Sequence, residues 1–419
     1  MTNALHCHAP PVQSGRMGKG SEMPERHVVL GVSGSIAAYK AVDLASKLTQ
    51  AGVAVHTVMT EAATQLVGPA TFRAITGLPV STSMFDLTNP YSIEHISLSE
   101  VADLMLIAPA TANVMAKLTT GIADDLLTCT ALATRAPILI APAMHTAMWE
   151  NAATQANFET LKSRGVRFVG PAVGRLASGG FGAGRFASVH DILGIALGLL
   201  GAGGDLTGRK LVITAAGTRE SIDPIRFLSN RSTGKMGFAL AEAARDRGAN
   251  VTLITGPTFL EPPSGMSVFP VESAAEMLDA VKLVSSDADV LIMAAAVADY
   301  TPEMCASEKL KKEELDIDFV LPLSRTEDIL TTVTGIPIRV GFAAESQHLI
   351  KNAQRKLVAK NLDLIVANDI SRKDSGMGAD DNECTVLDRK GESESLPLMP
   401  KREVAERILD RIVALLDQA

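Results

Sequence analysis

Short runs of apolar residues alternate with longer amphipathic stretches along most of the chain. Residues 27–32 (HVVLGV) predict a β-strand, and the apolar positions after them recur at helical spacing as far as Gly52, which predicts a helix that ends there. Three more apolar runs, VAVHTVMT, LMLIAPA and PILIAPA, predict strands with helical patterns between them. Unbroken apolar strands that alternate with helices indicate a parallel sheet covered by helices on both faces.

The same pattern begins again in the second half of the chain. A glycine-rich stretch with few large side chains, LLGAGGDLT at 199–207, predicts a linker. After it, strands of a second α/β unit are predicted by KLVITAAGT, VTLITG, VLIMAAAVADY, RVGFAAES and LIVAND. Turn residues around TVLD predict a hairpin at 372–396, and the spacing of 401–416 predicts a terminal helix. Because the carboxyl ends of parallel strands meet at one edge of a sheet, ligands are expected at that edge.

Composition is consistent with folded α/β units and excludes two classes of binding partner. The 419 residues are 47% hydrophobic and 21% charged, which is typical neither of disordered nor of collagen-like chains. At about 150 residues per domain, the length allows two or three domains. The net charge is −8, and a negative surface repels the phosphates of nucleic acids and of anionic membranes. We therefore expect no nucleic-acid and no membrane partner.

Cysteine usage points to a reducing compartment. Cys7, Cys129, Cys305 and Cys384 lie far apart and form no CxxC pair, which favours a reduced, cytoplasmic protein. No stretch approaches the ~20 apolar residues of a membrane helix. Residues 1–25 lack the apolar core of a signal peptide, and we expect them to form a flexible, solvated tail.

A run of small residues follows the first predicted strand. Gly31, Gly34 and Ser35 stand where the strand turns into the helix, and small residues there let the backbone approach a phosphate at the helix N-terminus. The spacing is not GxGxxG, so the dinucleotide fingerprint is absent. A phosphate site and a plain tight turn remain equally open from these residues alone.

Polar residues also follow the next buried strands. Thr111 and Asn113 come directly after LMLIAPA and are therefore expected at the ligand edge. Asp124 and Asp125 precede an expected helix, where carboxylates commonly cap the N-terminus. PAMHTAMW carries His145 and the only tryptophan, although a lone histidine is more often a structural polar group than a base.

Several of these stretches together resemble known families. VSGSIAAYK, EHI with ADLMLIAPATAN, GIADDLL and PAM..MW resemble the flavin-dependent cysteine decarboxylases. In the second half, AAGTRESIDPIRFLSNRSTGKMG, AAAVADY, EKLKK, GFAAES and KNLDLIVANDIS are similar to the phosphopantothenate–cysteine ligases. The order of the two halves is that of the bacterial bifunctional coenzyme A biosynthesis proteins, and the resemblance covers roughly residues 26–416.

The resemblance implies two three-layer α/β domains with mainly parallel sheets. A flavodoxin-like domain at 26–200 would bind FMN and decarboxylate phosphopantothenoylcysteine to 4'-phosphopantetheine. A Rossmann-like domain at 208–419 would ligate L-cysteine to 4'-phosphopantothenate with CTP and Mg²⁺. The decarboxylase halves of the family form trimers and the ligase halves form dimers, which together imply a homo-oligomer, a dodecamer.

In the first half, the resemblance assigns residues to the flavin and to proton transfer. His95, in SIEHISLSE, matches the active-site histidine and would act as the base. The flavin oxidises the thiol-bearing carbon, so that a thioaldehyde β to the carboxylate accepts the electrons when CO₂ leaves. The flavin is then reoxidised by reducing the enethiol. The implied flavin contacts are Gly34, Ser35, Thr60, Thr111 and Asn113.

Two positions depart from the family pattern. The common PAMNxxMW motif has asparagine where this chain has His145, and the common ACGD motif has cysteine where it has Ser178. In the family that cysteine protonates the enethiol, and a serine is a much poorer acid than a thiol of pKa ~8.5. Either water, His145 or a neighbouring subunit donates the proton, or the reaction stops at the oxidised enethiol. The attached ligase half favours the complete reaction. We expect His145 to have lost the amide-like hydrogen bonding of asparagine.

In the second half, the residues alone predict a nucleotide or phosphate site. STGKMG at 232–237 lacks the upstream glycine of a Walker A motif, but small residues before a helix suit an anion nest. Asp299 ends AAAVAD and is expected to face the nucleotide edge. Lys356 and Lys360 are four apart and therefore share one helix face. Phe342 either contacts the base or packs in the core.

The resemblance makes this site specific for ligation. CTP would activate the carboxylate of phosphopantothenate as an acyl-cytidylate, with release of pyrophosphate, and the amine of cysteine would displace CMP. Asn230 matches the residue tied to that intermediate, and Lys309 with Mg²⁺ would stabilise phosphoryl charge, whereas EKLKK by itself predicts a solvated surface. The metal ligands stay unassigned. The implied nucleotide contacts are Ala294, Ala295, Asp299, Lys309, Thr326, Glu327, Asp328, Ile329, Phe342, Lys356 and Lys360.

Three other functions compete with this one. An active ligase fused to an oxidative-only or impaired decarboxylase would explain Ser178 and His145. A regulatory binding protein predicts degenerate ligase lysines and an extended acidic tail, and the sequence has neither. A nicotinamide dehydrogenase is disfavoured by the missing GxGxxG and by the lack of a Tyr-x-x-x-Lys pair among three tyrosines.

Overall fold

The computed structural model describes residues 26–85, 93–311, 320–345, 347–369 and 378–418, so the predicted tail at 1–25 lies outside the described residues. The strands are β1 (Arg26–Val32), β2 (Val53–Met59), β3 (Val80–Ser81), β4 (Leu104–Ala110), β5 (Ile138–Pro142), β6 (Arg167–Phe168), β7 (Ala172–Arg175), β8 (Phe181–Arg185), β9 (Lys210–Ala215), β10 (Arg219–Ser221), β11 (Phe227–Ser229), β12 (Asn250–Thr255), β13 (Ser267–Pro270), β14 (Val290–Met293), β15 (Tyr300–Pro302), β16 (Leu323–Arg325), β17 (Ile338–Glu345), β18 (Leu364–Asp369), β19 (Asp381–Asp388) and β20 (Ser393–Pro400).

The helices are α1 (Ala38–Gln50), α2 (Glu61–Thr64), α3 (Pro69–Thr76), α4 (Glu94–Val101), α5 (Ala112–Thr120), α6 (Leu126–Ala133), α7 (Thr146–Trp149), α8 (Ala152–Ser163), α9 (Val189–Leu200), α10 (Lys235–Asp246), α11 (Ala274–Val284), α12 (Ile329–Thr332), α13 (Leu349–Ala359) and α14 (Lys401–Leu416). Among the helices of the described residues, none is long and apolar enough to cross a lipid bilayer.

Six parallel strands form the sheet of the first half, in the order β3-β2-β1-β4-β5-β6. Leaving aside the short edge strand β3, the others follow the order 2-1-3-4-5 of flavodoxin-like sheets. The predicted strands that became β1, β2, β4 and β5 are confirmed. The strand order reverses between β1 and β4, and a ligand crevice is expected outside their carboxyl ends.

Eight strands form the sheet of the second half, in the order β13-β12-β9-β14-β17-β18-β19-β20. The first six run parallel in the Rossmann order 3-2-1-4-5-6, and β19 and β20 add an antiparallel hairpin at the edge. The prediction of two mainly parallel α/β units is confirmed, as are the hairpin strands and the helix Lys401–Leu416. Residues 370–377, at the start of the predicted hairpin segment, lie outside the described residues.

Each sheet is the middle of three layers because alternate strand residues face opposite sides. In the first sheet, Leu30 and Leu106 pack under α1, α3 and α9, while Val29 and Ile107 pack under α4, α5, α6 and α8. In the second sheet, one face packs against α10 and α14 and the other against α11, α12 and α13. The buried residues of both cores are mainly aliphatic, so ligands are expected at the edges of the sheets.

The AAAVAD run differs from its prediction. The sequence predicts one strand through VLIMAAAVADY, but only Val290–Met293 pairs in the sheet. Beyond it, the N–H of Ala296 donates to the carbonyl oxygen of Ala216 (2.8 Å), and the N–H of Ala298 donates to the hydroxyl of Thr218 (2.9 Å). Small side chains therefore let this run cross the turn between β9 and α10 as a loop, and β15 then pairs with β16.

The glycine-rich stretch between the two sheets is packed closely against α10. A Cβ on Gly201 would lie 2.5 Å from the carbonyl oxygen of Asp246, and one on Gly204 would lie 2.4 Å from that of Arg247. The buried guanidinium of Arg247 holds the stretch by pairing with Asp205 (2.5 Å). Burial by itself lowers the pKa of Arg247, but Asp205 and Asp410 outweigh it and raise that pKa. The glycines are needed here for close approach rather than for flexibility.

Gly237→Ala is expected to destabilise the second half by about 1 to 3 kcal/mol, because its new methyl group would overpack the α10–β9 contact. A Cβ at this position would lie 2.5 Å from the Cβ of Ala215 and 2.8 Å from the carbonyl oxygen of Thr214. The matched control is Gly198→Ala in α9, where the nearest atom lies 3.5 Å away. Helix propensity should make that change neutral, or stabilising by up to about 1 kcal/mol. Urea unfolding followed by circular dichroism measures both, and equal effects would contradict the packing argument.

Candidate active sites

The loops at the carboxyl edge of the first sheet are tied together by Ser33. Its Oγ donates to the carbonyl oxygen of Pro109 (2.7 Å) and accepts from the N–H of Thr111 (3.0 Å). The N–H of Thr60 donates to the carbonyl oxygen of Val32 (3.0 Å), and this bond joins the loop after β2 to β1. The predicted flavin residues of three separate loops therefore meet at one edge.

The turn after β1 has the chemistry of an anion site. A Cβ on Gly34 would lie 2.5 Å from that of Ala62, so only glycine allows this approach. Ser35 Oγ accepts from the N–H of Ala37 (3.4 Å) and donates to the carbonyl oxygen of Ala143 (3.2 Å). Helix α1 begins without a side-chain cap and has no acidic residue in its first turn. Its N–H groups and positive dipole therefore suit a phosphate.

Both threonines assigned to the flavin also cap helices. Thr111 Oγ1 accepts from the N–H of Val114 (3.3 Å) at the start of α5, and Thr60 Oγ1 accepts from the N–H of Ala63 (3.2 Å) at the start of α2. Asn113 lies exposed in the first turn of α5. The sequence analysis missed the capping roles, although Thr before a helical pattern is their usual signal.

His95 lies half-buried in the first turn of α4, which packs against α6. Because α4 runs back towards the start of β4, its N-terminus lies towards the carboxyl edge of the sheet. His145 caps the short helix α7, and its Nδ1 accepts from the N–H of Ala147 (3.2 Å). The expectation that His145 loses the hydrogen bonding of asparagine is therefore wrong for the acceptor, because Nδ1 takes the place of the amide oxygen at the cap.

Ser178 lies exposed in the turn of the β7–β8 hairpin. The base of this hairpin is anchored to the loop that carries His145. The N–H of Met144 donates to the carbonyl oxygen of Gly184 (2.9 Å), and a Cβ on Gly184 would lie 2.4 Å from the carbonyl oxygen of Met144. A Cβ on Gly182 would lie 2.5 Å from the hydroxyl oxygen of Thr146. The two departures from the family pattern therefore lie on segments that pack together.

The paired carboxylates of GIADDLL are structural. Lys117 Nζ binds Asp124 (2.6 Å) and Asp125 (2.9 Å), and Asp125 forms a capping box with Thr128 at the start of α6. Burial alone raises the pKa of Asp125, but the N–H and hydroxyl of Thr128 and the ammonium of Lys117 outweigh it, so this pKa lies below its ordinary value. The capping role that the sequence suggested is confirmed.

A cavity of about 840 Å³ opens at the carboxyl edge of the second sheet, outside β9, β14 and β17. It brings together residues that are far apart in the chain. The predicted residues in its wall are Asn230, Ala294, Ala295, Asp299, Thr326, Glu327, Asp328, Ile329, Phe342, Lys356 and Lys360. The half-buried ring of Phe342 also packs on the core, which confirms the core prediction, and its contact with a base stays a prediction.

Hydrogen bonds shape the middle of the cavity wall. Asn230 Nδ2 donates to the carbonyl oxygens of Ala296 (3.0 Å) and Val297 (3.2 Å), which joins the β11–α10 loop to the AAAVAD loop. Thr326 Oγ1 donates to the carbonyl oxygen of Ala298 (2.6 Å), and its N–H donates to that of Asp299 (3.1 Å). The backbone around Asp299 is thereby held from both sides.

Lys356 of α13 and Lys360, the C-terminal cap of that helix, reach the cavity, each beside a carboxylate. Lys356 Nζ binds Glu345 (2.7 Å), and Lys360 Nζ binds Asp328 (2.7 Å). The hydrogen bond from Lys356 lowers the pKa of Glu345. Burial raises the pKa of Asp328, but Lys360 outweighs it, so this pKa is also below its ordinary value. Both carboxylates are therefore ionised at neutral pH and balance the two ammonium groups.

Lys309 is not part of this wall. It lies exposed beside Leu310, whose carbonyl oxygen accepts from Arg226 Nη2 (2.7 Å) and whose N–H donates to Asp223 (3.2 Å). Arg226 and the surrounding N–H groups hold the pKa of Asp223 well below its usual range. The structure therefore does not bring Lys309 to the other predicted nucleotide residues, and residues 312–319 of the same loop lie outside the described residues.

Comparison with known proteins identifies the family of the chain. Residues 17–201 match the Flavoprotein family model, and residues 206–416 match the model of the DNA/pantothenate metabolism flavoprotein C-terminal domain. The coenzyme A biosynthesis bifunctional protein CoaBC of Bacillus subtilis (strain 168) is 47% identical over 399 residues, which cover 94% of this chain and 98% of that protein. The chain belongs to the family of coenzyme A biosynthesis bifunctional proteins.

Two further similarities extend the comparison. The CoaBC protein of Mycobacterium tuberculosis (strain ATCC 25618 / H37Rv) is 42% identical over 409 residues, covering 93% of this chain and 97% of that one. The crystal structure of the C-terminal domain of a CoaBC protein is 41% identical and superposes with a TM-score of 0.45, covering 52% of this chain and all of that one. The bifunctional protein has a decarboxylase domain and a ligase domain.

The sequence analysis assigned no role to several polar residues that line the ligase cavity of the bifunctional protein: Tyr300, Arg325, Asn368, Asn382 and Lys401. Lys235, which also lines it, lies in the STGKMG stretch that was predicted to form an anion nest. Asn368 Nδ2 donates to Asn382 Oδ1 (2.9 Å), which joins the ends of β18 and β19. Lys401, only 6% exposed, begins α14. A lysine at the start of an amphipathic helix gives no signal in the sequence that it lines a cavity.

Metal ligands are not evident in the bifunctional protein. Within the described ranges, no group of three or more His, Cys, Asp or Glu side chains could hold a metal ion. Among these residues the structure therefore offers the predicted Mg²⁺ no ligand set of this kind.

Asp125→Asn is expected to destabilise the bifunctional protein at pH 7, because it removes a carboxylate that Lys117 and Thr128 stabilise. The folded-state pKa of Asp125 lies below the ordinary value of 3.8, so its contribution is present above that pH and disappears as the pH falls through the folded-state value. Urea midpoints at pH 7, 5 and 3 should show a deficit that shrinks with acidification. Asp124→Asn, at the more exposed neighbour, should cost less at pH 7, and a deficit independent of pH would contradict the assignment.

Proposed function

We propose that the chain converts 4'-phosphopantothenate, L-cysteine and CTP into 4'-phosphopantetheine in two steps. A ligase domain at 208–419 forms phosphopantothenoylcysteine, and a decarboxylase domain at 26–200 removes CO₂ from it with FMN. One observation carries this proposal: the ligase cavity gathers all the predicted nucleotide residues except Lys309. The match of residues 17–201 to the Flavoprotein model supports the flavin.

Ligation requires an activated carboxylate because an amine does not displace oxide. The acid attacks the α-phosphorus of CTP, pyrophosphate leaves, and the amine of cysteine then displaces CMP from the acyl-cytidylate. Lys356 and Lys360 supply positive charge on one side of the cavity, and Asn230 holds the AAAVAD loop against which the intermediate forms. The resemblance gives Lys309 the role of a further ammonium for the phosphoryl charge, and Mg²⁺ would supply additional neutralisation of that charge.

The first-half edge fits the phosphate of FMN. The Gly34–Ser35 turn and the uncapped N-terminus of α1 supply N–H donors, and the loops of Thr60 and Thr111 are joined to them through β1 and Ser33. FMN, when bound, supplies the oxidation of the thiol-bearing carbon and the later return of those electrons. His95, at the end of α4 nearest this edge, takes the proton that the substrate loses.

His145 donates the proton that the family cysteine would supply. A neutral imidazole N–H is as poor an acid as a serine hydroxyl, so His145 donates this proton only as the imidazolium, and protonation of Nδ1 then replaces the cap hydrogen bond that it accepts from Ala147. The hairpin that carries Ser178 packs against the loop that carries His145. His145 can therefore act as proton donor next to the position where the family has its cysteine. The competing candidate, an oxidative-only decarboxylase, rests on the same exposed Ser178 and predicts release of the enethiol.

We propose that the protein acts as a cytoplasmic homo-oligomer, a dodecamer built from trimeric decarboxylase and dimeric ligase halves. Large apolar side chains on the β10–β11 and β15–β16 hairpins support an assembly contact: Phe227, Tyr300 and Leu323 are all exposed. Light scattering of the purified protein measures the mass directly, and a monomer at working concentration would contradict this part of the proposal.

The complete reaction is tested with the purified chain and its three substrates. We expect a yellow preparation, release of pyrophosphate, CMP and CO₂, and accumulation of 4'-phosphopantetheine measured by mass spectrometry. A product two hydrogens lighter would establish the oxidative-only alternative. A colourless protein that takes up no added FMN would remove the decarboxylase assignment but leave the ligase one.

The two half-reactions should separate by mutation. His95→Gln is expected to slow decarboxylation of phosphopantothenoylcysteine by about 10²- to 10⁴-fold, because it removes the general base, and to leave ligation unchanged. Lys360→Gln should do the reverse, since it lines only the ligase cavity. Each half is assayed separately with its own substrate, and a joint loss in either variant would indicate a structural effect instead.

A further inference from the structure

A buried arginine contacts the two segments that carry the ion pair of Lys360 and Asp328. Arg339 is the second residue of β17 and is only 5% exposed. Its neighbours Ile338 and Val340 belong to the core beneath α10 and α14, so the side chain of Arg339 faces α11, α12 and α13. A buried guanidinium is costly, and its contacts indicate why it is there.

The guanidinium joins two segments that are far apart in the chain. Arg339 Nη2 donates to the carbonyl oxygen of Leu330 in α12, and Nη1 donates to that of Asn361 (3.4 Å). Leu330 lies two residues after Asp328, which caps the N-terminus of α12. Asn361 directly follows Lys360, which caps the C-terminus of α13. Arg339 therefore holds the backbone on both sides of the ion pair (2.7 Å).

Close packing brings the same segments together over a glycine. Gly341 lies two residues further along β17, on the face of Arg339. A Cβ on Gly341 would lie 2.6 Å from Leu362 Cδ1 and 3.4 Å from Leu330 Cδ1. Side chains of α12 and of the turn after α13 thus meet next to the carbonyl groups that Arg339 binds. Packing and the arginine together set the spacing of the two segments.

The charge of Arg339 is balanced only from a distance. Both of its side-chain hydrogen bonds in the described part of the chain go to backbone carbonyls, and its buried Nε has no hydrogen-bond partner there. Asp363 accepts from the backbone N–H of Arg339 (2.8 Å) and pairs with Arg389 (3.3 Å). Burial lowers the pKa of Arg339, and the charges of Asp363 and Asp328 offset this only in part. Buried charges seldom stabilise a fold more than apolar side chains of similar size, which favours a role in arranging the site.

We infer that Arg339 is a positioning residue of the ligase site, which fixes the separation of α12 and α13 and thereby places Lys360 for the nucleotide. This inference rests on the proposed ligase function. The planar guanidinium has several donors in a fixed geometry and can reach two carbonyl groups at once, whereas a lysine has one nitrogen. Placement matters because a displacement of about 1 Å in a binding group can cost about 10²-fold in rate.

Binding of CTP to the full chain, measured by isothermal titration calorimetry, tests the inference. Arg339→Met keeps an unbranched side chain without the charge and is expected to weaken CTP by about 5- to 30-fold, because Lys360 is no longer held in place. If Arg339 acts through Lys360, the double variant should bind CTP within about 3-fold of Lys360→Gln alone. In the ligase assay, Arg339→Met should raise the KM for CTP and leave the KM for L-cysteine unchanged.

Arg389→Met is the matched control. Arg389 binds the same carbonyl oxygen of Asn361 (2.7 Å), but its contacts among the described residues are confined to 361–363 and do not reach α12. Its loss should therefore leave CTP affinity within about 2-fold of the wild type.

The outcomes separate the inference from the function on which it rests. A wild-type chain that binds no CTP overturns both. If the wild type binds CTP, three results overturn only the inference: unchanged affinity in Arg339→Met, losses that multiply in the double variant, or an equal loss in Arg389→Met. Circular dichroism and thermal unfolding check that the variants fold. If Arg339→Met does not fold, Arg339→Lys provides the test: it should weaken CTP by about 3- to 10-fold, and wild-type affinity would overturn the inference.

Discussion

Both sites depend on backbone packed directly against backbone where the parallel strands end. A Cβ on Gly34 would meet Ala62 at 2.5 Å, and one on Gly256 would lie 2.3 Å from the carbonyl oxygen of Gly217. Such contacts leave no room for side chains, so several loops can approach a single ligand. In each half, the first long helix after the first strand begins without a side-chain cap or an acidic residue, which leaves its N–H groups and dipole available to an anion.

The long elements were predictable because the pattern of their apolar residues matches the faces that they bury. LMLIAPA is fully buried along its whole length, and Lys401–Leu416 has one apolar stripe, so period and burial agree. Two- and three-residue strands such as Val80–Ser81 and Tyr300–Pro302 carry no such period, because tertiary pairing alone defines them. The AAAVAD run is apolar enough for a strand. Its backbone N–H groups bond to Ala216 and Thr218 instead of to a neighbouring strand, so it forms a loop.

The site residues were predictable where a motif placed them at a strand end, and not where tertiary packing did. Asp299 and Phe342 follow or lie on buried strands, so topology alone brings them to one edge. Lys235 and Lys401 meet only because α10 and α14 pack together, and nothing local distinguishes Lys401 from a surface lysine. His145 shows the opposite case: the motif marks the substitution, but only the geometry shows that its Nδ1 keeps the helix cap.

Charge balance explains how four lysines coexist in one cavity. Lys356, Lys360 and Lys235 each contact a carboxylate, and Lys401, which donates to a backbone carbonyl and is acted on by Asp380 and Asp381, is the most buried of the four. When the phosphates of a ligand replace those carboxylates, each lysine keeps an anionic partner. A nucleotide can therefore enter the cavity without an additional cation. The carboxylates of Glu345 and Asp328 stay ionised because the lysines lower their pKa values, and they therefore hold the lysines in place between turnovers. A cavity built in this way favours a ligand with phosphoryl groups over a neutral one, since only the former compensates the ion pairs that it separates.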